Sequence, residues 1–393
     1  MYSSSLTSAT TGSFTSYQNK VAINTGTTNV QVYSQIKDLG FKHDFYWLSS
    51  DKTTTKFGFN SIYHTVTPGE ITTDGGPSNF NPVNYQKRYS LENSFYGTND
   101  WQLTDKFNIS MGLRLSVFSI LGKGDFLTVD PNGNITEVNS YKSGELVKTY
   151  FNLEPRLALS YLLNPQSSVK ASYVRNAQNL HMISNSTASR PTDKWLPSTN
   201  MIKPEVSDQV AIGYYRNLFS NKFELNVESY YKTMQNQIDY RDGADIFNAD
   251  AIETQLLYGK GRAYGLEFLF KKRTGDFTGW ISYTLAKTER QINGINSGNW
   301  YNARQDRTHD IAIVGMYELN KKVSLSATFV YYTGDAITSP TGKYNLDGQS
   351  FFYYSERNAD RIGVVFDRDV DRVLPQRPGG DTFLWVQRTA VGE

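Results

Sequence analysis

The chain has 393 residues, with 40 basic and 38 acidic side chains and no cysteine. That near-neutral balance leaves no electrostatic footprint for nucleic acid, and without thiols there are no disulfides, cysteine-bearing zinc sites or thiol chemistry. Tyr (27) and Phe (22) are abundant and Pro is sparse (12), so β-formers and turn-formers outweigh helix-formers.

The start, MYSSSLTSATTGS, has neither a basic stretch nor an apolar core, so no signal peptide is visible. Residues 1–29 read as a partial strand or loop region, with a weak strand before residue 26. From Val30 to Thr338 the chain predicts six hairpins. Their strands alternate apolar and polar residues with period two. In FNISMGLRLSVF (107–118), Phe107, Ile109, Met111, Leu113, Leu115 and Val117 oppose Asn108, Ser110, Arg114 and Ser116. KFELNVESYYK (222–232) sets Phe223, Leu225 and Val227 against Glu224, Asn226 and Glu228. VSLSATFVYY (323–332) sets Val323, Leu325, Ala327 and Phe329 against Ser324, Ser326 and Thr328. A further strand is predicted at 344–354, and 356–393 reads as an irregular tail because of Pro375, Pro378, Gly379 and Gly380.

The connections carry a second signal. Short joins fall near 49–51, 104–106, 164–167, 218–221, 273–276 and 319–322. Long polar joins fall near 72–87, 123–147, 184–205, 241–256 and 292–305. Short periplasmic turns on one rim and long extracellular loops on the other mark an up-and-down membrane barrel. No apolar run approaches the roughly 18 residues of a membrane helix, but a barrel strand needs an apolar residue only at every second position. Aromatics beside the short joins (Tyr46, Trp47, Trp101, Tyr161, Tyr214, Tyr215, Phe277, Tyr317) would form an interfacial girdle. The expected fold is therefore all-β: an antiparallel up-and-down transmembrane β-barrel, with 30–355 supplying about 12–14 strands. Strand charges Arg114, Lys170, Glu224, Glu228 and Glu267 are expected to face the lumen, since a charge on lipid costs about 2–4 kcal/mol.

Several motifs resemble the barrel of the TonB-dependent receptors, specifically the Bacteroidetes group with a carboxypeptidase-like regulatory domain. They are NLEPRLALSYLLNPQSSVKASYVRNAQNLH (152–181), KPEVSDQVAIGYYRN (203–217), YYKTMQNQIDYRDG (230–243), GKGRAYGLEFLFKK (259–272), WISYTLAKTER (280–290), QDRTHDIAIVGMYEL (305–319) and YYTGDAITSPTGKY (331–344). KFGFNSIYHTVTPG (56–69) fits more loosely. The resemblance implies a barrel of roughly 22 strands, a plug within it and a TonB box ahead of it. Neither plug nor box is recognisable here, so the chain reads as a barrel lacking its plug. The resemblance also implies residence in the bacterial outer membrane, contact with lipid, coupling to TonB through the plug, and uptake of a small scarce nutrient: an iron-siderophore, cobalamin or an oligosaccharide. The competing readings are a passive porin-like or adhesin-like barrel and a soluble carbohydrate-binding all-β protein.

No catalytic or cofactor site is expected. His43, His64, His181 and His309 have no metal-ligand spacing. Asp306-Arg307-Thr308-His309 groups acid, base and hydroxyl, but neighbours on a strand point to opposite faces. Gly259, Gly261 and Gly265 miss the dinucleotide fingerprint and read as small residues in a crowded wall. The ligand-binding candidates lie in the long joins: Arg190, Lys194 and Trp195 in 182–205, then Tyr240, Arg241, Trp300 and Tyr301. Their aromatic and basic side chains could hold an anionic chelate or stack on a sugar.

Overall fold

The computed structural model describes residues 5–25, 28–75, 83–184, 193–241, 244, 251–320, 322–337, 342–346, 349–353, 360–362 and 381–390. Fourteen strands follow one another through a single antiparallel sheet. They are β1 (Leu6–Thr25), β2 (Thr28–Ser50), β3 (Thr53–Gly75), β4 (Arg88–Gln102), β5 (Phe107–Leu121), β6 (Leu146–Asn164) and β7 (Ser167–Gln178). The path continues through β8 (Glu205–Leu218), β9 (Phe223–Tyr240), β10 (Leu256–Lys272), β11 (Phe277–Ile292), β12 (His309–Asn320), β13 (Val323–Tyr332) and β14 (Asp381–Ala390). Each strand pairs with its neighbours in sequence, which is an up-and-down meander. Among the described residues no ladder joins β1 to β14, and the only helical turns are Ile252–Gln255 and Asn296–Gly298.

Three expectations change. The weak strand before residue 26 is a 20-residue strand, registered along β2 from Leu6↔Trp47 to Thr25↔Thr28. Its sequence is rich in threonine rather than in large apolar residues, so its order comes from the neighbouring ladder. The strand at 344–354 is a local pair, Gly342–Leu346 with Gln349–Tyr353, outside the large sheet. Within the tail, Asp381–Ala390 pairs with β13, and its sequence DTFLWVQRTA contains a β-forming run that the Pro- and Gly-rich stretch before it obscures.

The sheet has two chemically distinct faces. Leu115 pairs with Phe95 and Leu153, and Leu266 pairs with Ser229 and Leu285, giving rows that stand exposed. The opposite face carries the row Ser160, Lys170, Gly213, Glu228 and Glu267 across β6 to β10. That polar face is concave. Val32 on β2 and Leu256 on β10 join one apolar cluster, yet eight strand spacings would separate them by roughly 38 Å in a flat sheet. The sheet must curl around the loops between them.

On β10 the outward residues are Arg262, Tyr264, Leu266, Phe268, Phe270 and Lys272. Ten residues at about 3.3 Å each, tilted near 40°, rise roughly 25 Å, the height of the apolar band of an outer-membrane barrel. The aromatics beside the short joins divide by parity. Trp47, Trp101, Tyr161, Tyr214, Phe277 and Tyr317 share the outward rows, whereas Tyr46 and Tyr215 point to the polar side. Tyr46 receives Lys56 over its ring at 4.9 Å. Adjacent residues on a strand cannot both join an outer girdle.

Candidate functional site at the loop-bearing end

The join 179–204 dominates this end. It forms a small hairpin, Leu180–Ile183 with Lys194–Pro197, that folds onto the concave face. Its apolar residues explain why. Ile183, Leu196 and Ile202 are buried against Tyr85, Ile238, Tyr240, Ile252 and Leu256. Burying an aliphatic side chain of this size contributes about 1.5–3 kcal/mol, enough to draw a loop out of solvent. Polar tethers fix the register. The Asn179 side-chain amide donates to Glu92 at 3.1 Å, and Tyr150 Oη donates to the Thr199 carbonyl at 2.7 Å. Lys148 Nζ donates to the Asn200 carbonyl at 3.2 Å, and Asn200 Nδ2 to the Leu127 carbonyl at 2.7 Å. His181 lies buried with Nε2 3.0 Å from Ser198 Oγ.

A buried carboxylate ties this loop to two others. Asp239, 3% exposed, receives Arg304 Nη2 at 2.9 Å and Tyr301 Oη at 3.1 Å, with Arg290 Nη1 at 3.7 Å. Arg304 also donates to the Ser184 carbonyl. The end of β9, the loop 293–308 and the tip-side end of the hairpin's first strand therefore share one ionic knot. Asp239 reaches it because Asn236 inserts an extra residue at positive φ (56°), shifting the register against β10. Such a bulge re-aims the side chains that follow it. Burial pushes the Tyr240 and Tyr258 phenols well above their usual range, so both stay neutral within the cluster.

The sequence candidates scatter. Arg190 lies outside the described residues. Lys194, expected to be exposed, is buried with its ammonium against the Tyr85 hydroxyl and 4.1 Å from that ring's centroid. Trp195 packs edge-on against Tyr17 of β1 at 6.3 Å. Tyr240 and Tyr301 are buried. Arg241 donates to the Asn132 carbonyl at 2.6 Å, holding the neighbouring loop. Trp300 covers Arg262 at 4.2 Å and Lys260 at 5.7 Å on the outward side. Lys194, Tyr240 and Tyr301 are thus buried rather than exposed, because a loop with its own apolar residues folds inward. The apolar spacing of Ile183, Leu196 and Ile202 was the available signal. Asp239 had none, since its partners are more than fifty residues away.

The strand charges lie on the polar face. Arg114 approaches Glu92 at 3.4 Å and Glu154 at 3.9 Å. Glu224 accepts from Arg273 at 2.6 Å. Lys170 sits 4.5 Å over the Tyr215 ring, and Glu228 pairs in register with Glu267. Lys170, Tyr215 and Glu228 help line a trough of about 600 Å³ that also reaches the Asp51-Lys52 turn, at the end opposite the loops. Gly213 makes room there, since a Cβ would stand 2.9 Å from the Tyr215 ring. Gly265 is similarly covered by Tyr230 at 3.0 Å. Among the described residues no group of three His, Asp or Glu side chains is close enough to hold a metal ion.

Outward apolar rows, an inward polar wall, short turns at one end and packed loops at the other define a transmembrane β-barrel sheet. The family model for the TonB-dependent receptor-like β-barrel matches residues 1–368, and the chain belongs to that family. No curated protein matches the sequence. Among solved structures, the ferric yersiniabactin uptake receptor FyuA of Yersinia pestis aligns with 98% of this chain and 51% of its own, at 13% identity and a TM-score of 0.60. The ferric-catecholate import receptor Fiu of E. coli aligns with 99% and 62%, at 14% identity and a TM-score of 0.57. The FrpB iron transporter of Neisseria meningitidis aligns with 92% and 59%, at 13% identity and a TM-score of 0.54. The chain therefore spans less than two thirds of each of these receptors, and at such identities the likeness is one of fold.

Proposed function

We propose that this chain is the membrane-embedded barrel of a TonB-dependent uptake receptor in the outer membrane of a Gram-negative bacterium, of the Bacteroidetes type. Its cargo is a scarce nutrient, an iron-siderophore, cobalamin or an oligosaccharide, captured at the loop-bearing end. A plug and TonB box supplied by the rest of the receptor couple release to the inner-membrane proton gradient. The polar face, with Arg114, Lys170, Glu224, Glu228 and Glu267, is the wall against which that plug docks. The chain acts in transport and carries out no chemistry on its cargo.

One observation carries this reading. The hairpin Leu180–Ile183 with Lys194–Pro197, and the residues flanking it, pack on the concave face and are tied to Glu92, Tyr150 and Ile238 from three separate strands. A passive porin needs an open lumen, whereas a gated receptor needs a mouth that is closed at rest. The test is uptake by cells producing the complete receptor. Accumulation of the nutrient should require TonB, and planar bilayers holding the protein should show no standing conductance. A steady ohmic conductance with uptake independent of TonB would establish the porin-like alternative.

A further inference from the structure

We infer that the long join between β5 and β6 carries an interface for a second copy of this chain, formed by the open edge of its strand Ile135–Tyr141. The join folds into a hairpin, Gly124–Val129 with Ile135–Tyr141. Phe126 anchors it, buried with Phe118 and Ile120 of β5. Its tip is held at Asn132, whose carbonyl accepts from Arg241 just beyond the end of β9. β5 and β9 stand four strand spacings apart in the sheet, roughly 19 Å, and the six-residue arm Gly124–Val129 extends about 20 Å. The hairpin therefore lies along the rim instead of standing up from it.

Its two edges differ. Along Gly124–Val129 the outer backbone groups are taken by side chains. The Asp125 N–H donates to the Gln86 side chain at 2.8 Å, the Asp125 carbonyl accepts from Arg88 at 2.8 Å, and the Leu127 carbonyl accepts from Asn200 at 2.7 Å. Along Ile135–Tyr141 the only ladder among the described residues is the one inside the hairpin. Such an edge is a template for another strand. Nothing blunts it, since ITEVNSY holds neither Pro nor Lys and its first six residues are exposed. The sequence is also complementary to itself. An antiparallel pair centred on Val138 sets Ile135 against Tyr141, Thr136 against Ser140, Glu137 against Asn139 and Val138 against its own copy. These are favourable cross-strand pairs, whereas centring on Glu137 would oppose two carboxylates and disfavours that register. Seven residues of edge make a small contact. The pair therefore rests on the membrane placement proposed above, which confines both copies to one plane and raises their effective concentration.

The chain has no cysteine, so single cysteines report the pairing cleanly. With the full chain in phosphatidylcholine vesicles under mild oxidation, Val138→Cys should form a disulfide-linked dimer at least about tenfold faster than Ile135→Cys, because only residue 138 meets itself within bridging reach. The two side chains are similarly exposed, 56% and 50%, so chance collisions would link both at the same rate. Equal rates overturn self-pairing and leave the edge to a different protein's strand or to water. Counting fluorophores per particle in supported bilayers gives a second readout. Val138→Lys, which sets two ammonium groups opposite each other, should lower the dimer fraction severalfold, and Val138→Thr should not. A dimer fraction unmoved by Val138→Lys overturns the interface as well. Flotation of the same vesicles separates the two layers of inference. A chain that floats yet links both cysteines equally loses only the interface, and one that stays out of the vesicles loses the membrane placement and the interface with it.

Discussion

Asp239 shows how one side chain can govern a whole mouth. Its carboxylate is 3% exposed and faces two guanidinium groups and a phenol from a different loop or strand. Asp239→Asn keeps the shape but removes the charge that those groups were desolvated to meet. The expected cost is about 2–3 kcal/mol, read as a lower urea midpoint in detergent and faster proteolysis within 293–308. Unchanged stability and proteolysis would mean that Arg290 and Arg304 find equivalent partners. Gly213 is the counterpart in the polar trough. Gly213→Val places a side chain where the Tyr215 ring lies, 2.9 Å from the built Cβ. The ring must leave Lys170, so a loss of about 1–2 kcal/mol is expected. Gly12, where a Cβ meets nothing within 4 Å, is the control, and Gly12→Val should cost less.

Strands and loops obey different constraints. On β10 the register puts Leu266 outward and Glu267 inward. Leu266→Arg should lower stability in vesicles by about 2–4 kcal/mol, while Glu267→Arg should change it far less. The same comparison applies on β13 to Leu325→Arg and Ser326→Arg. Equal effects within either pair, measured by urea unfolding, would overturn the facing assignment. Loop sidedness is tested on intact cells carrying the complete receptor. External protease should cut within 179–204 before the Asn164–Ser167 turn. Preferential cleavage at that turn would invert the topology.

At the scale of the molecule, the curl of the sheet and the inward fold of the loops are one event. The cluster joining Val32, Leu196, Ile238 and Leu256 bridges β2 to β10 through the hairpin. It holds together strands that a flat sheet would keep roughly 38 Å apart. Deleting 180–197 removes that wedge. In liposomes, permeability to small sugars should rise toward that of an open barrel, and the variant's near-ultraviolet dichroism should weaken through loss of the Tyr17–Trp195 contact. No rise in permeability would mean that other loops close the mouth.

The amino-acid sequence by itself determined the strands between Val30 and Thr338, their two faces and the alternation of short and long joins. These depend on local period-two patterning and turn chemistry, which reach only a few residues along the chain. That is why the parity of Leu266 and Glu267 was legible without coordinates. Only the tertiary structure decided the fate of the loops. Lys194, Tyr240 and Tyr301 read as exposed binding groups, because composition cannot say whether a long polar loop stands in water or folds onto a concave wall. The answer came from residues far apart in sequence that meet in space, Leu196 and Ile238 in one apolar cluster and Asp239 against Arg304. Those contacts form only once the sheet has curled. Even β1 is ordered by its neighbour more than by its own residues, since pairing along all of β2 outweighs a weak local preference.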